Sequence, residues 1–270
     1  MKTKLQKLKV SIGSDDVDYL MFGEGNTALV IMPGISDGLS SVHTKLRSVA
    51  LFINYKELSN KYRVYVFSRR NSLKDGTDTA EMADDQAAAM KALGIKNAMV
   101  LGISQGGMIA QHLAINYPDI ISKLVLAVTL PKSNEQMKEA AGKWLDLAKQ
   151  NKYKELLFDI AARSYSEKRL KAYKRLYPFV GRIDKPKDFS RFIIQAKSCA
   201  THDAKENLSK ICCPTLIIAG AKDKITGPLA ARELADAIKD SKLIIYGDIG
   251  HSVYEEADAF LPDICKFFAE

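Results

Sequence analysis

Short apolar runs alternate along most of the chain with segments whose apolar residues recur at helical spacing. The runs that predict strands are 4–12, 17–22, 28–32, 62–67, 97–101, 123–129, 214–219 and 242–246. The segments that predict helices are 44–58, 78–94, 108–116, 228–239 and a last one from about Ser252. Buried strands that alternate with helices are typical of a mostly parallel sheet with helices on both faces. The pattern therefore predicts an α/β fold.

The alternation stops at Pro131 and resumes at Pro214. Between about 133 and 207 the spacing is only helical, and SNEQ at 133–136 is a capping-box pattern for the first of these helices. A helical block between two strand–helix stretches is most simply an excursion that covers the sheet. We therefore expect a core formed by residues 1–130 and 206–270, with a helical cap at 131–205.

The charge is concentrated in the predicted cap. The chain has 270 residues and a net charge of +8; residues 132–187 carry 15 basic and 7 acidic side chains, and the remainder carries 25 of each. These cations are spread over amphipathic helices without interleaved stacking aromatics, which argues against a nucleic-acid partner. A solvated helical surface and attraction of an anionic substrate or partner both remain open.

Other sequence features argue against a membrane protein and against bound cofactors. No apolar run approaches the length of a membrane span, and a polar stretch follows the basic N-terminus, so we expect a cytoplasmic monomer or homodimer. The four cysteines lack metal-ligand spacing and are interpreted as buried free thiols. GEGNTA at 23–28 matches a dinucleotide-binding pattern, but a strand follows it where that motif requires a helix.

A Gly-x-Ser-x-Gly motif stands between a predicted strand and a predicted helix. Residues 102–107 read GISQGG. In this context the serine occupies a sharp, strained turn that exposes its hydroxyl at the end of a strand. Only small residues fit two positions before and after it, and Gly102 and Gly106 stand there. Ser104 is therefore the candidate nucleophile.

Candidates for a base and an acid follow two later strands, at the edge where parallel α/β sheets bind ligands. Of the four histidines, His251 alone lies just after a strand and behind a glycine. A neutral imidazole there can take the proton of Ser104 and return it to the leaving group. Asp223, which follows another strand, is the best partner for its second nitrogen, and Asp248 is the alternative. We expect structural or surface roles for the other histidines.

An acyl-transfer site also needs two N–H groups aimed at the developing oxyanion. The amide of Gln105 is one candidate, because this residue follows the nucleophile and begins a helix. The loop at 33–38 follows a buried strand, and the amide of Ile35 is the second candidate, with Ser36 as the alternative.

The chain at this point resembles the α/β-hydrolase superfamily, in its capped esterase, lactonase and haloperoxidase-like branch. The resemblance rests on 102–107, on CPTLIIAGAKDKIT at 213–226, and on Gly250–His251 before a helix with Glu255 and Glu256. It implies an eight-stranded sheet with strand 2 antiparallel, a helical cap after the sixth strand, and cofactor-free chemistry through an acyl-enzyme.

Two stretches depart from the family pattern. Pro33–Gly34 replaces the usual His-Gly of the oxyanion loop, and SRRNS at 68–72 replaces Asp-x-Arg-Gly-x-Gly. The second departure predicts a differently shaped loop, from which Arg69 or Arg70 reaches the site. The serine nucleophile separates the chain from haloalkane dehalogenases and epoxide hydrolases of this fold, which use aspartate.

The leading functional hypothesis is a carboxylic-ester hydrolase that cleaves a small ester, thioester or lactone. Hydrolysis of C–C bonds, peptide cleavage and cofactor-free peroxidation are alternatives within the superfamily. A ligand receptor that retains the triad, or an acyltransferase, are alternatives of other classes. The cap is expected to select the substrate, through residues that the sequence alone does not identify.

Overall fold

The computed structural model describes residues 4–176 and 185–270, which fold around one eight-stranded sheet. The strands are β1 (Gln6–Ile12), β2 (Asp15–Phe22), β3 (Thr27–Met32), β4 (Tyr62–Arg70), β5 (Ala98–Ile103), β6 (Ile121–Ala127), β7 (Thr215–Gly220) and β8 (Ser241–Tyr246). Their order is β1-β2-β4-β3-β5-β6-β7-β8. β2 runs antiparallel to both of its neighbours, and all pairs from β4 to β8 are parallel. The α/β fold and the single antiparallel strand are therefore confirmed.

Helices cover both faces of the sheet. They are α1 (Lys45–Tyr55), α2 (Thr79–Ala92), α3 (Gln105–Asn116), α4 (Glu135–Lys149), α5 (Tyr153–Ser164), α6 (Glu167–Leu176), α7 (Ser190–Thr201), α8 (Ala230–Ala237), α9 (Val253–Glu256) and α10 (Phe260–Ala269). Because successive strand residues face opposite sides, Val30 belongs to the apolar cluster that includes residues of α2, α3 and α8, whereas Leu29 and Ile31 belong to the cluster that includes residues of α1 and α10. Both faces are thus apolar, which explains the continuous apolar strands.

The segment between β6 and β7 is helical, and we call its helices α4 to α7 the cap. Met137 and Trp144 of α4 pack with Phe192 of α7 and with Met108 of the core. The residue boundaries 131–205 stay a prediction. Among the aromatic residues of the predicted cap, Phe179 lies outside the described residues.

The chain enters and leaves the cap through two short segments, 131–133 and 202–204, which we call the neck. The amide of Ser133 donates to the carbonyl of His202 at 2.8 Å, and the amide of Ala204 donates to the carbonyl of Pro131 at 2.9 Å. Lys132 and Asp203 add an ion pair at 2.7 Å. The two ends of the cap are therefore joined to each other at one point of the core.

Several local predictions need correction. β4 continues to Arg70, where a loop from Ser68 was expected, because Val17 of β2 pairs with Arg70 after an irregularity in the register. Asn134, rather than Ser133, caps α4 and accepts from the amide of Met137 at 2.9 Å. Of the four thiols only Cys199 is buried, and Cys212 is exposed.

The predicted helix from Asp78 begins as expected. The capping box that begins α2 at Asp78 is present with both of its hydrogen bonds.

Candidate active site

Ser104 occupies a sharp turn between β5 and α3. Its φ and ψ of 54° and −117° lie in a region that non-glycine residues rarely adopt. A Cβ on Gly106 would lie 1.9 Å from the carbonyl oxygen of Met32, and one on Gly102 would lie 2.6 Å from the carbonyl oxygen of Gly106. The two glycines of the motif are therefore required by close backbone contact, and the turn projects the serine beyond the end of β5.

Ser104, His251 and Asp223 form one hydrogen-bonded line at the carboxyl edge of the sheet. The Nε2 atom of His251 lies 2.9 Å from the Oγ atom of Ser104, and Nδ1 lies 2.8 Å from the Oδ2 atom of Asp223. The serine is 9% exposed, the histidine 4% and the aspartate 3%. Three residues that are distant in sequence thus meet in the geometry of a nucleophile, a base and an orienting acid.

The carboxylate of Asp223 is held from both oxygens. Oδ1 accepts from the amides of Ile225 and Thr226 at 2.8 and 3.0 Å, and Oδ2 accepts from the Thr226 hydroxyl at 2.6 Å. Burial disfavours its charged form, but His251 and these hydrogen bonds outweigh burial and keep the pKa of Asp223 below its usual value. Sequence reasoning did not assign a role to Thr226, although its position three residues after the aspartate is typical of such a turn.

The loop after β3 lies against the nucleophile. A Cβ on Gly34 would be 3.3 Å from the Cβ atom and 3.8 Å from the Oγ atom of Ser104. Ile35 begins a 3₁₀ turn, Ile35–Gly38, directly after this contact. Gln105 is the first residue of α3, where helical amides have no acceptor within the helix. The structure therefore brings both predicted oxyanion donors beside Ser104. The amide of Ser36, the alternative donor, lies one residue further along the same turn, and the hydroxyl of Ser36 accepts from Arg47 at 3.1 Å.

A buried polar cluster lies behind this loop. Asp37 is fully buried and accepts from the Ser68 hydroxyl at 2.6 Å, from the amide of Arg69 at 3.1 Å and from Nη2 of Arg191 at 2.9 Å. Burial opposes its ionisation, but Arg191, Arg69 and Arg47 outweigh burial and lower the pKa of Asp37 to about 2. Asp37 and Arg191 were missed, because nothing in their local sequence indicates that they meet.

The two arginines that were expected to reach the site point to opposite faces of the sheet. Arg69 is fully buried and donates to the carbonyl of Pro33 and to the side chain of Gln105. Arg70 instead pairs with Asp85 of α2. Only Arg69 contacts the candidate site.

The remaining candidates are engaged elsewhere. Asp248, the alternative acid, is exposed and pairs with Lys222 at 2.9 Å. His43 contacts the carbonyls of Leu8 and Tyr19. His112 packs edge-on against His202, and burial lowers the pKa of His202 to about 3. None of these groups shares the line formed by Ser104, His251 and Asp223.

A cleft of about 930 Å³ opens between the cap and the core, and of Ser104, His251 and Asp223 only Asp223 lines it. Asp223 and Gly250 lie on its core wall, and Lys168 and Lys171 of α6 lie on its cap wall. At this edge the amide of Ser252 donates to the carbonyl of Ser164 at 3.1 Å. The cap therefore contacts the loop that carries His251.

Within the described residues, 4–176 and 185–270, no three His, Cys, Asp or Glu side chains converge as a set of metal ligands. No helix of the same residues is long and apolar enough to cross a membrane.

Comparison with known proteins agrees with the fold. The family model for the alpha/beta hydrolase fold matches residues 27–258, so the chain belongs to the α/β-hydrolase family. A 2-hydroxy-6-oxononadienedioate/2-hydroxy-6-oxononatrienedioate hydrolase from a Pseudomonas species is 26% identical over 92% of this chain and 89% of its own. The mouse serine hydrolase BPHL is 26% identical over 93% of this chain and 82% of its own.

Solved structures give the same architecture. The enol-lactonase from Burkholderia xenovorans LB400 superposes with a TM-score of 0.83, covers 97% of this chain and 100% of its own, and is 20% identical. At this identity the likeness shows the fold alone. The chain thus belongs to the α/β-hydrolase family, and its relatives also include a putative non-heme bromoperoxidase of Mycobacterium tuberculosis, which is 28% identical over 78% of this chain and 85% of its own.

Proposed function

We propose that the protein is a serine hydrolase that cleaves a small carboxylic ester, thioester or lactone through an acyl-enzyme, without a cofactor. The observation that carries the proposal is the continuous hydrogen-bonded line from Ser104 through His251 to Asp223, with the loop at Gly34 against the serine. The identity to a relative named as a serine hydrolase supports it.

In the proposed reaction Ser104 attacks the substrate carbonyl while Nε2 of His251 takes the hydroxyl proton. Asp223 holds the imidazole in the tautomer that leaves Nε2 free to accept, and stabilises the imidazolium that forms. The amides of Gln105 and Ile35 donate to the oxyanion of the tetrahedral intermediate. His251 then gives the proton to the leaving group. A water molecule attacks the acyl-enzyme while His251 takes its proton, and His251 returns this proton to Ser104 as the acid is released.

The test is a panel of p-nitrophenyl esters, a thioester, a lactone and an amide, run on wild type and on Ser104→Ala. We expect turnover of at least one acyl substrate to fall about 10⁴- to 10⁶-fold in Ser104→Ala. Ser122→Ala is the matched control, because its hydroxyl bonds the carbonyl of Asn97 at the opposite end of the strands. An equal rate in wild type and Ser104→Ala would refute the proposal.

A second candidate function is hydrolysis of a 2-hydroxy-6-oxo acid, favoured by the name of the Pseudomonas relative. Adding such a substrate to the same panel separates the two. A kcat/KM for the oxo acid that exceeds that for every ester by an order of magnitude or more would favour the second candidate. Labelling of Ser104 by a fluorophosphonate without turnover of any substrate would instead favour a receptor.

A further inference from the structure

Arg69 contacts both segments that carry the predicted oxyanion donors. Its Nη2 atom donates to the carbonyl of Pro33, two residues before Ile35. The same atom donates to the Oε1 atom of Gln105 at 3.2 Å. A single nitrogen therefore joins the loop after β3 to the first residue of α3.

The side chain of Gln105 is held at its other end as well. Its Nε2 atom donates to the carbonyl of Gln195 at 3.0 Å and to the hydroxyl of Ser198 at 3.1 Å, both on α7 of the cap. The side-chain amide of Gln105 is thus oriented from two sides. These contacts also restrict the backbone of Gln105, whose amide follows Ser104. Because Gln105 is fully buried, water does not compete for these contacts.

The buried guanidinium group of Arg69 makes few hydrogen bonds for a cation. It is fully buried, and its Nε and Nη1 atoms have no hydrogen-bond partner among the described residues. Burial lowers the pKa of Arg69 to about 10, partly offset by Asp37, so the side chain remains charged at neutral pH. Arg69 also stabilises the charged form of the buried Asp37, so removing its charge is expected to cost stability as well as two hydrogen bonds. A loss of stability therefore does not by itself reveal the role of Arg69, and its test needs a readout of the transition state.

We propose that Arg69 is a positioning residue of the oxyanion hole, which fixes the distance and orientation between the amides of Ile35 and Gln105. The inference rests on the proposed function. The hole is assembled from two segments 70 residues apart in sequence. Small displacements of such donors from the developing charge are costly in rate but not in substrate binding, because the negative oxygen exists only in the transition state.

The experiment compares Arg69→Met and Arg69→Lys with Arg70→Met in the full-length protein. Arg70→Met is the matched control, because Arg70 is the next residue of β4 and its side chain pairs with Asp85 on the other face. Steady-state hydrolysis of p-nitrophenyl butyrate gives kcat and KM, and thermal unfolding reports whether each variant is folded.

For Arg69→Met we expect kcat to fall about 10²-fold with KM within about threefold of wild type. Arg69→Lys keeps the charge and one donor, and we expect it to recover about tenfold of that loss. Arg70→Met should keep kcat within about twofold. The pH profile of kcat/KM should keep its midpoint in Arg69→Met, because the triad is untouched.

Affinity for a trifluoromethyl ketone that mimics the tetrahedral intermediate supplies a readout that a structural role would not move. We expect this affinity to fall in parallel with kcat in Arg69→Met, whereas affinity for the acid product stays unchanged. If Arg69→Met does not fold, Gln105→Leu removes the acceptor of Arg69 and keeps the backbone amide, and the same selective loss is expected.

The outcomes separate the two proposals. A folded Arg69→Met with the kcat of the Arg70→Met control would remove the positioning role and leave the serine hydrolase intact. A wild type that neither hydrolyses any ester nor is labelled at Ser104 would remove the proposed function and this inference with it.

Discussion

The carboxyl edge of the sheet and the cap differ in how they hold their charged groups. At the sheet edge, Asp223 and His251 are almost completely buried and each makes hydrogen bonds of less than 3 Å. On the cap, Lys168 and Lys171 of α6 are exposed beside the cleft. Buried, fixed groups act strongly on a transition state, whereas exposed cations act over a distance and are screened by salt. Substitutions at the edge should therefore alter kcat by orders of magnitude, and those on the cap should alter KM by small factors.

After Ser104→Ala, the largest effect is expected from a substitution of the acid at the sheet edge. Asp223→Asn should lower kcat about 10³- to 10⁴-fold, because asparagine does not hold the imidazole in the productive tautomer. Steady-state kinetics on the best ester of the panel measures it. Asp248→Asn is the control, since Asp248 is exposed and pairs only with Lys222 among the described contacts. A greater loss in Asp248→Asn would reverse the assignment.

Asp37 links the sheet edge to the cap inside the protein, because its partners include Arg191 of α7. A substitution of Asp37 therefore measures how much this buried ion pair stabilises the fold. The pKa of Asp37 is about 2 in the folded protein, against 3.8 for an unperturbed aspartate. A depressed folded pKa contributes stability above the unfolded pKa, here about 2 kcal/mol at neutral pH, and this contribution is lost as pH falls from about 4 to 2.

Urea unfolding at several pH values measures this contribution. Asp37→Asn should be less stable than wild type at pH 7, and the difference should shrink steadily towards pH 2. Asp75→Asn serves as the control, because Asp75 is exposed and pairs with the exposed Lys197. An undiminished difference at pH 2 would show that the charge of Asp37 is not what stabilises the fold.

A smaller effect is expected where the cap meets the loop after His251. The carboxylate of Glu256 accepts from the amide of Ser166 at 3.0 Å and from its hydroxyl. Glu256→Ala should raise KM about 3- to 10-fold with little change in kcat, because the cap edge loses two hydrogen bonds but the triad stays in place. The comparison is with Glu135→Ala, an exposed residue at the start of α4 that pairs with Lys138. A fall in kcat larger than the rise in KM would place Glu256 in the catalytic edge instead.

The smallest effect concerns the exposed cations of α6. If the cleft attracts anions, KM for an anionic ester should rise about two- to fourfold between low and high salt, while KM for a neutral ester of equal size stays constant. Lys168→Gln with Lys171→Gln should remove most of that dependence. Equal salt responses of the two esters would leave the cap charge as solvated surface only.

The contrast between the sheet edge and the cap also explains which features of the protein the sequence predicts. Strand order along the chain, the turn at Ser104 and the post-strand positions of Asp223 and His251 follow from local pattern, because a parallel sheet brings all its carboxyl ends to one edge. The fold is confirmed, and the structure places the five predicted site residues together. Their roles stay predictions until the variants are measured.

Other features depend on contacts that have no local signature. Ser68, Asp37 and Arg191 meet from three distant segments, so neither their spacing nor their flanking residues indicate the cluster. The extension of β4 to Arg70 depends on pairing with β2, which a polar stretch does not reveal. The packing of the cap helices is harder still to predict, because amphipathic helices of similar composition can pack in several ways. The spacing of apolar residues does not indicate which side of a helix faces a substrate.

The neck has a consequence for how this fold can change. Since the amides and carbonyls of 131–133 and 202–204 bond to each other, the two ends of the insertion are held at one separation where they join β6 and β7. A change in the length of chain between these ends need not alter the register of the two strands. Any replacement segment must however keep the contacts that Arg191, Gln195 and Ser198 make with Asp37 and Gln105, because these contacts hold the residues beside Ser104. The insertion can therefore vary most where it lies far from α7.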